Sequence, residues 1–417
     1  MIRQSFVLAF VLAGVVSLFC ILGGCGDRTA APPQSAFVLI SKPSFVKTWD
    51  VQLPLHSGDS IKGIYFLDGT VHVLTNLNFD HAVKGDSGDL LYQNQIGTAD
   101  STLSGGPTLV TDGIVFPTTH TLELYSRDGN FKRSLNVTYN ITNQAVGNRS
   151  FVYVGMDFKQ GCLSQVDVTQ DIVPVQWTFL TFGAVDGPVA ISENVIYCAS
   201  EDGSVRACLE DRTPFWPLLT DSTFSTGSKI VSGVVADNRS CYFSTTAGKL
   251  YCLDKNTGRL RWQYFAGTDL EYGPQVTDTT VYQFVPGSGL VAIDKTTKMM
   301  IDNQDAGVET PFHSPRWTLP RAGRILAEDA QFVYVVLGRP DEVRGMAAVD
   351  KVTGEVAFAT HRRDLVAVTC DPKGELFYGV TSRGLVVAMK PVVNPGSYGE
   401  IALGPQSQND ELTSHVR

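Results

Sequence analysis

No Cys-x-x-Cys-His run occurs in this chain, although it has eight cysteines, so the attachment chemistry of a covalent haem is absent. Its seven histidines, at positions 56, 72, 81, 120, 313, 361 and 415, include no two at the close spacing of a zinc site, and they are expected on the surface or in loops. Positive charge is in deficit: 33 Lys and Arg face 42 Asp and Glu. No basic run interleaved with aromatics interrupts that balance, which argues against a nucleic-acid partner. Long helical periodicity is also missing, so helices should be scarce. Glycine, by contrast, is plentiful at 39 residues, and 43% of the chain is hydrophobic, a composition of many turns around a large core.

Only one long apolar run exists. Phe6 to Leu22 carries no charge, follows Arg3, and leads through Gly23 and Gly24 to Cys25, the layout of an export signal. The stretch Leu22-Gly23-Gly24-Cys25 resembles the lipobox of bacterial lipoproteins, which implies cleavage before Cys25 and lipidation of its thiol. Two or more acyl chains anchor a protein stably, so Cys25 is the expected membrane tether. Loss of residues 1–24 removes Arg3 and no acid, leaving 32 basic residues against 42 acidic ones. The expected organisation is a signal peptide over 1–24, the lipidated cysteine and a tether over 25–44, a folded body over 45–404 and a polar tail over 405–417. Phe37-Val38-Leu39-Ile40 is too apolar for a free linker and should pack on the body or add an edge strand.

From about residue 60 the body repeats one pattern: an apolar strand, a tight turn, a strand ending at an acid, a polar turn, and a strand bearing Trp. The clearest copy runs from Cys241-Tyr242-Phe243-Ser244 through Lys249 to Asp254 and on to Trp262. Gly203 and Gly248 mark equivalent turns 45 residues apart, and Asp294 and Asp350 repeat the strand ending, the latter with Gly354 and Phe358 after it. Weaker copies at Ile64 to Leu74, Gly113 to Ser126, Phe151 to Val168 and Phe377 to Ala388 bring the total to eight hairpins. Sheets of this kind cannot bury both faces alone and stack radially into a ring. The expected fold is therefore an all-β propeller of four-stranded antiparallel blades, eight in number, with seven as the alternative. Phe45 to Val51 looks like a fourth strand lacking its first three upstream, which suits it to the blade of the last hairpin.

Asp254-Lys-Asn-Thr-Gly-Arg-Leu-Arg-Trp262 resembles the signature of PQQ-like repeats, in which Asp and Thr-Gly shape the turn and Trp docks between neighbouring sheets. With the lipobox and the size, the chain resembles the PQQ-like lipoproteins of the BamB family, outer-membrane protein assembly factors. The resemblance implies a non-enzymatic scaffold on the periplasmic face of the outer membrane. It also implies that the partner is a β-barrel assembly subunit, contacted protein to protein. Quinone-dependent dehydrogenases of similar architecture carry an adjacent Cys-Cys pair, which this chain lacks, so no cofactor and no metal are expected. The alternatives are a propeller that binds a small ligand or glycan in its central funnel, and a cell-surface interaction module.

Structural roles are assigned first to the repeated side chains. Asp254, Asp294 and Asp350 stand where a carboxylate accepts backbone N–H groups of a turn. Gly258 and Gly354 occupy the turns. Trp49, Trp177, Trp216 and Trp262 fall on fourth strands, whereas Trp317, between Pro315 and Pro320, looks irregular and is the one tryptophan considered for a ligand. Cys241 and Cys252 lie on two strands of one hairpin, with a disulfide left open by an unfixed register. Asn76 to Gly97 and Val308 to Gly323 read as inserts that could form a binding face.

Overall fold

A computed structural model describes residues 35–39, 42–98, 101–172, 174–216, 224–296, 299–301, 310–393 and 398–402. Among these residues there is no helix. Eight four-stranded antiparallel units form an eight-bladed propeller. Blade 1 consists of Ile61–Leu67, Thr70–Thr75, Phe79–Lys84 and Leu90–Gln95. Blade 2 runs from Thr108–Val110 to Phe131–Asn136, blade 3 from Val146–Asn148 to Val175–Leu180, and blade 4 from Ala190–Ser192 to Pro214–Trp216. Blade 5 runs from Val235–Ala236 to Leu260–Phe265, blade 6 from Gln275–Val276 to Trp317–Leu319, and blade 7 from Ala322–Glu328 to Val356–Thr360.

Blade 8 is completed from the other end of the chain. Leu365–Cys370, Phe377–Thr381 and Leu385–Val392 supply three strands, and Ser44–Gln52 pairs antiparallel with the last of them, from Ser44 opposite Val392 to Gln52 opposite Leu385. Phe45 fixes this strap by packing against Tyr334 and Phe358 of blade 7 and Phe377 of blade 8. Ser35–Leu39 pairs with Tyr398–Ala402 in a separate two-stranded ribbon, so Phe37-Val38-Leu39 forms a strand in a sheet of its own and not an edge strand of a blade, while Ile40 lies outside the described residues. Residues 6–25, including Cys25, lie outside the described residues.

The core is a ring of apolar seams. Tyr197, Val205 and Trp216 of blade 4 meet Cys241, Phe243 and Leu253 of blade 5, and equivalent clusters join the other neighbours, including blade 8 to blade 1 through Trp49, Val71 and Val386. Each sheet therefore has both faces covered, which is why the second and third strands are buried along nearly their whole length instead of on alternate residues. Ring closure leaves only short outer edges exposed.

Two expected inserts are corrected. Asn76 to Gly97 holds Phe79–Lys84 and Leu90–Gln95, the third and fourth strands of blade 1. The hairpin Ile64 to Leu74 belongs to its first and second strands, so the pattern is displaced there by one strand. The second segment is divided: Trp317–Leu319 is the fourth strand of blade 6, pairing Trp317 with Ala292, whereas Thr310–Phe312 belongs to a true insertion. Met299–Ile301 and Thr310–Phe312 form a hairpin that adds to the outer edge of blade 5, with Phe312 parallel to Gln263. Val308 itself lies outside the described residues.

Candidate functional site

The repeated positions build one device for docking blade to blade. Asp254 Oδ1 accepts the backbone N–H groups of Asn256 and Thr257, at 3.0 Å each, and Asp350 Oδ1 does the same for Val352 and Thr353. Asp294 Oδ1 accepts from Thr296. Burial pushes the Asp254 carboxyl upward, but bonds from Arg261 and Thr257 outweigh it and hold the group below its usual range. These acids are spent on their own turns.

Each tryptophan reaches across to the next blade. Nε1 of Trp49, Trp177, Trp216 and Trp317 donates to the carbonyl of Gly85, Glu210, Lys255 and Lys351, respectively, at 2.7–3.0 Å. Every tryptophan, Trp262 included, also packs on a tyrosine of its own blade's second strand, with ring centroids 5.8–6.1 Å apart. The turn glycine of the following blade lies beneath the ring: a Cβ on Gly258 would stand 2.6 Å from Trp216, and one on Gly354 2.6 Å from Trp317. Both glycines also have positive φ, 68° and 77°, a conformation that disfavours any side chain. Trp317 is thus a docking tryptophan like the others and not an irregular ligand-binding residue.

Cys241 and Cys252 do not face each other. Cys241 stands opposite Leu253 and Cys252 opposite Tyr242, so their side chains leave opposite faces of the sheet and enter different seams. Both are free thiols.

The histidines depart from the expected surface placement. His56, His120 and His361 are exposed, but His72 and His81 have no exposed surface and His313 has little. His72 Nδ1 is 2.9 Å from Asp80 Oδ2, a buried pair within blade 1. His81, on the neighbouring position of the same sheet, has neither ring nitrogen hydrogen-bonded, and burial draws its pKa down. His313 packs on Trp262 with centroids 4.5 Å apart. Among the described residues no three His, Cys, Asp or Glu side chains gather as metal ligands.

A groove of about 960 Å³ opens on one rim between blades 6 and 7. In an antiparallel blade the turn from the second to the third strand and the connection from the fourth strand to the next blade fall at the same end, and these segments supply the groove. Arg321 comes from the connection between blades 6 and 7, Arg339 and Arg344 from the hairpin loop of blade 7, and Arg363 from the connection to blade 8. Leu319, Leu337 and Val356 give it an apolar lining. Arg339 is held by Asp341 at 3.4 Å and Arg344 by Glu342 at 2.9 Å. Arg321 and Arg363 are exposed and make no ion pair among the described residues. Arg321 has φ 66°, a left-handed conformation that costs a non-glycine residue about 1 kcal/mol. Phe284 connects the groove to a smaller cavity of about 300 Å³ where Arg324 donates to the Val368 carbonyl at 2.8 Å. The rim arginines come from three separate segments, so no motif announces them in the sequence.

Fold and repeat geometry together define an eight-bladed β-propeller, in which Asp254–Trp262 resembles the PQQ-like repeat signature. Residues 201–299, which hold the Asp254–Trp262 signature, match the family model described as outer membrane protein assembly factor BamB. The crystal structure of BamB from Moraxella catarrhalis is similar over 83% of this chain and all of that one, with a TM-score of 0.61 and 15% identity. The computationally designed Ika8 protein is similar over 83% of this chain and 99% of its own, with a TM-score of 0.59 and 14% identity. The Pan2 WD40 domain of Neurospora crassa covers 87% and 98%, with a TM-score of 0.51 and 12% identity. No curated protein matches the chain in sequence.

Proposed function

We propose that this chain is a BamB-like lipoprotein scaffold that assists the assembly and insertion of β-barrel proteins into the outer membrane through protein–protein contacts, without catalysing a reaction. Lipid on Cys25 tethers it, and the tether holds the propeller in the periplasm. The observation that carries this reading is a coincidence of two likenesses: residues 201–299 match the BamB family model, and the ring as a whole parallels the full length of a BamB structure. The Leu22-Gly23-Gly24-Cys25 stretch supplies the lipid-attachment chemistry. The repeated carboxylates are engaged in turns and the tryptophans in seams, a use of side chains that suits a rigid support for rim loops.

The test is affinity purification of the full chain from its native membrane, with mass spectrometry of the bound proteins. Barrel-assembly subunits are expected, and Cys25→Ser should move the protein from the membrane to the soluble fraction. Purification that yields none of those subunits overturns the assembly role, and unchanged membrane retention of the variant overturns the anchor.

A further inference from the structure

We infer that the groove between blades 6 and 7 is a docking site for an extended, acidic segment of a partner protein, in which carboxylates alternate with large apolar side chains. The inference rests on the scaffold reading above and names the chemistry of the segment held.

Charge complementarity identifies the occupant. The chain as a whole carries a net charge of −9, yet Arg321, Arg339, Arg344 and Arg363 line this one groove, with Glu342 as the one acidic lining residue among those described. Two of those guanidinium groups, on Arg339 and Arg344, are already oriented by carboxylates of their own loop. Arg321 and Arg363 have no such counter-charge among the described residues and remain able to take one from a ligand. An arginine fork grips a carboxylate through two parallel N–H donors, so each free arginine is suited to one acidic side chain.

The lining rules on shape. Leu319, Leu337 and Val356 offer apolar contact, and Val356 is 48% exposed. A small anion would leave that surface wet, whereas a peptide covers it while presenting acids to the arginines. Val356–Thr360 is the outer strand of blade 7, and no described strand covers its outer edge. The equivalent edge of blade 5 is covered: Phe312 of the insertion pairs there with Gln263. Blades of this ring therefore accept an added strand at the outer edge, the mode by which extended peptides join sheets.

The experiment measures fluorescence anisotropy of a labelled decapeptide alternating Glu with Leu and Phe, titrated with the detergent-solubilised full chain. Binding should weaken as salt rises, and Arg321→Glu with Arg363→Glu should weaken it about tenfold or more. Both side chains are exposed, so thermal unfolding of that variant should match the parent. Arg212→Glu with Arg259→Glu reverses the same charge at turns on the opposite rim and should leave binding intact. Equal loss in the two double variants, or no binding by the parent, overturns the inference. So does retention of the parent on phosphatidylglycerol vesicles through Arg321 and Arg363 without peptide binding, since that assigns the groove to a membrane. Arginine-dependent peptide binding without copurified barrel-assembly subunits sustains the groove and overturns only the assembly role. The reverse result overturns only the groove.

Discussion

The Arg316 guanidinium lies 2.6 Å from the Asp294 carboxylate across 22 positions of sequence, making the ion pair that Arg261 makes with Asp254 across seven. The insertion has split the repeat signature of blade 6 and left its geometry whole. Trp317 follows Arg316 as Trp262 follows Arg261, and each pairs with the third strand two residues before the acid, at Ala292 and Cys252.

Asp294→Asn should therefore destabilise the propeller by about 1 kcal/mol, a modest value because both partners are partly exposed. Burial raises the Asp294 carboxyl, but the Thr296 N–H and Arg316 outweigh it and hold it below its ordinary value. A depressed carboxylate stabilises the fold at pH values above its unfolded pKa, and that contribution is lost as pH falls through the folded one. The variant should lose part of the acid limb below about pH 4, as read by denaturant unfolding at several pH values.

Removing a docking tryptophan should cost more. Trp216→Ala takes out a nearly fully buried ring together with its bond to the Lys255 carbonyl, and about 3–5 kcal/mol is expected. Trp216→Phe should recover much of that, leaving the carbonyl without this donor at a cost of about 1–2 kcal/mol. Urea midpoints of the two variants check the order.

His81 predicts sensitivity to mild acid. Burial lowers its pKa, so below the unfolded value of about 6.5 the unfolded chain takes up a proton that the folded chain refuses. Stability should fall as pH drops from that value toward the folded pKa. His81→Leu should flatten this slope, which chemical unfolding between about pH 7 and pH 5 would show.

The six described thiols should resist alkylation in the native protein. Burial pushes Cys198 and Cys252 up to about 12 and Cys208 and Cys370 up to about 11, so the reactive thiolate is scarce at neutral pH. Iodoacetamide at neutral pH should label them only after unfolding, with Cys370, the half-buried one, first. Because Cys241 and Cys252 leave opposite faces of the sheet, reducing agent should not move the melting temperature.

Much of the ring is legible in the sequence because its seams demand the same side chains in each copy. An acid that closes a turn and a tryptophan eight positions on, as in Asp254 and Trp262, are visible without coordinates. Blade 1 escapes because its first hairpin turns at Asp68-Gly69, much as blade 4 turns at Asp202-Gly203 between later strands. Trp317 escapes because the insertion hides its acid. The buried histidines escape for a different reason: neighbouring blades cover both faces of a strand, so the alternation of polar and apolar residues no longer tells inside from outside. His72 sits between Val71 and Val73, all three without exposed surface.

The strap Ser44–Gln52 has a consequence for biogenesis. It is made before the strand it must join, Leu385–Val392, with seven blades of sequence between them. A chain that emerges from its N-terminus would have to hold seven and a quarter blades with an unsatisfied seam until Leu385–Val392 arrives. That interval exposes apolar sheet surface to aggregation, and escorting factors in the compartment where it folds would shape the yield of intact rings.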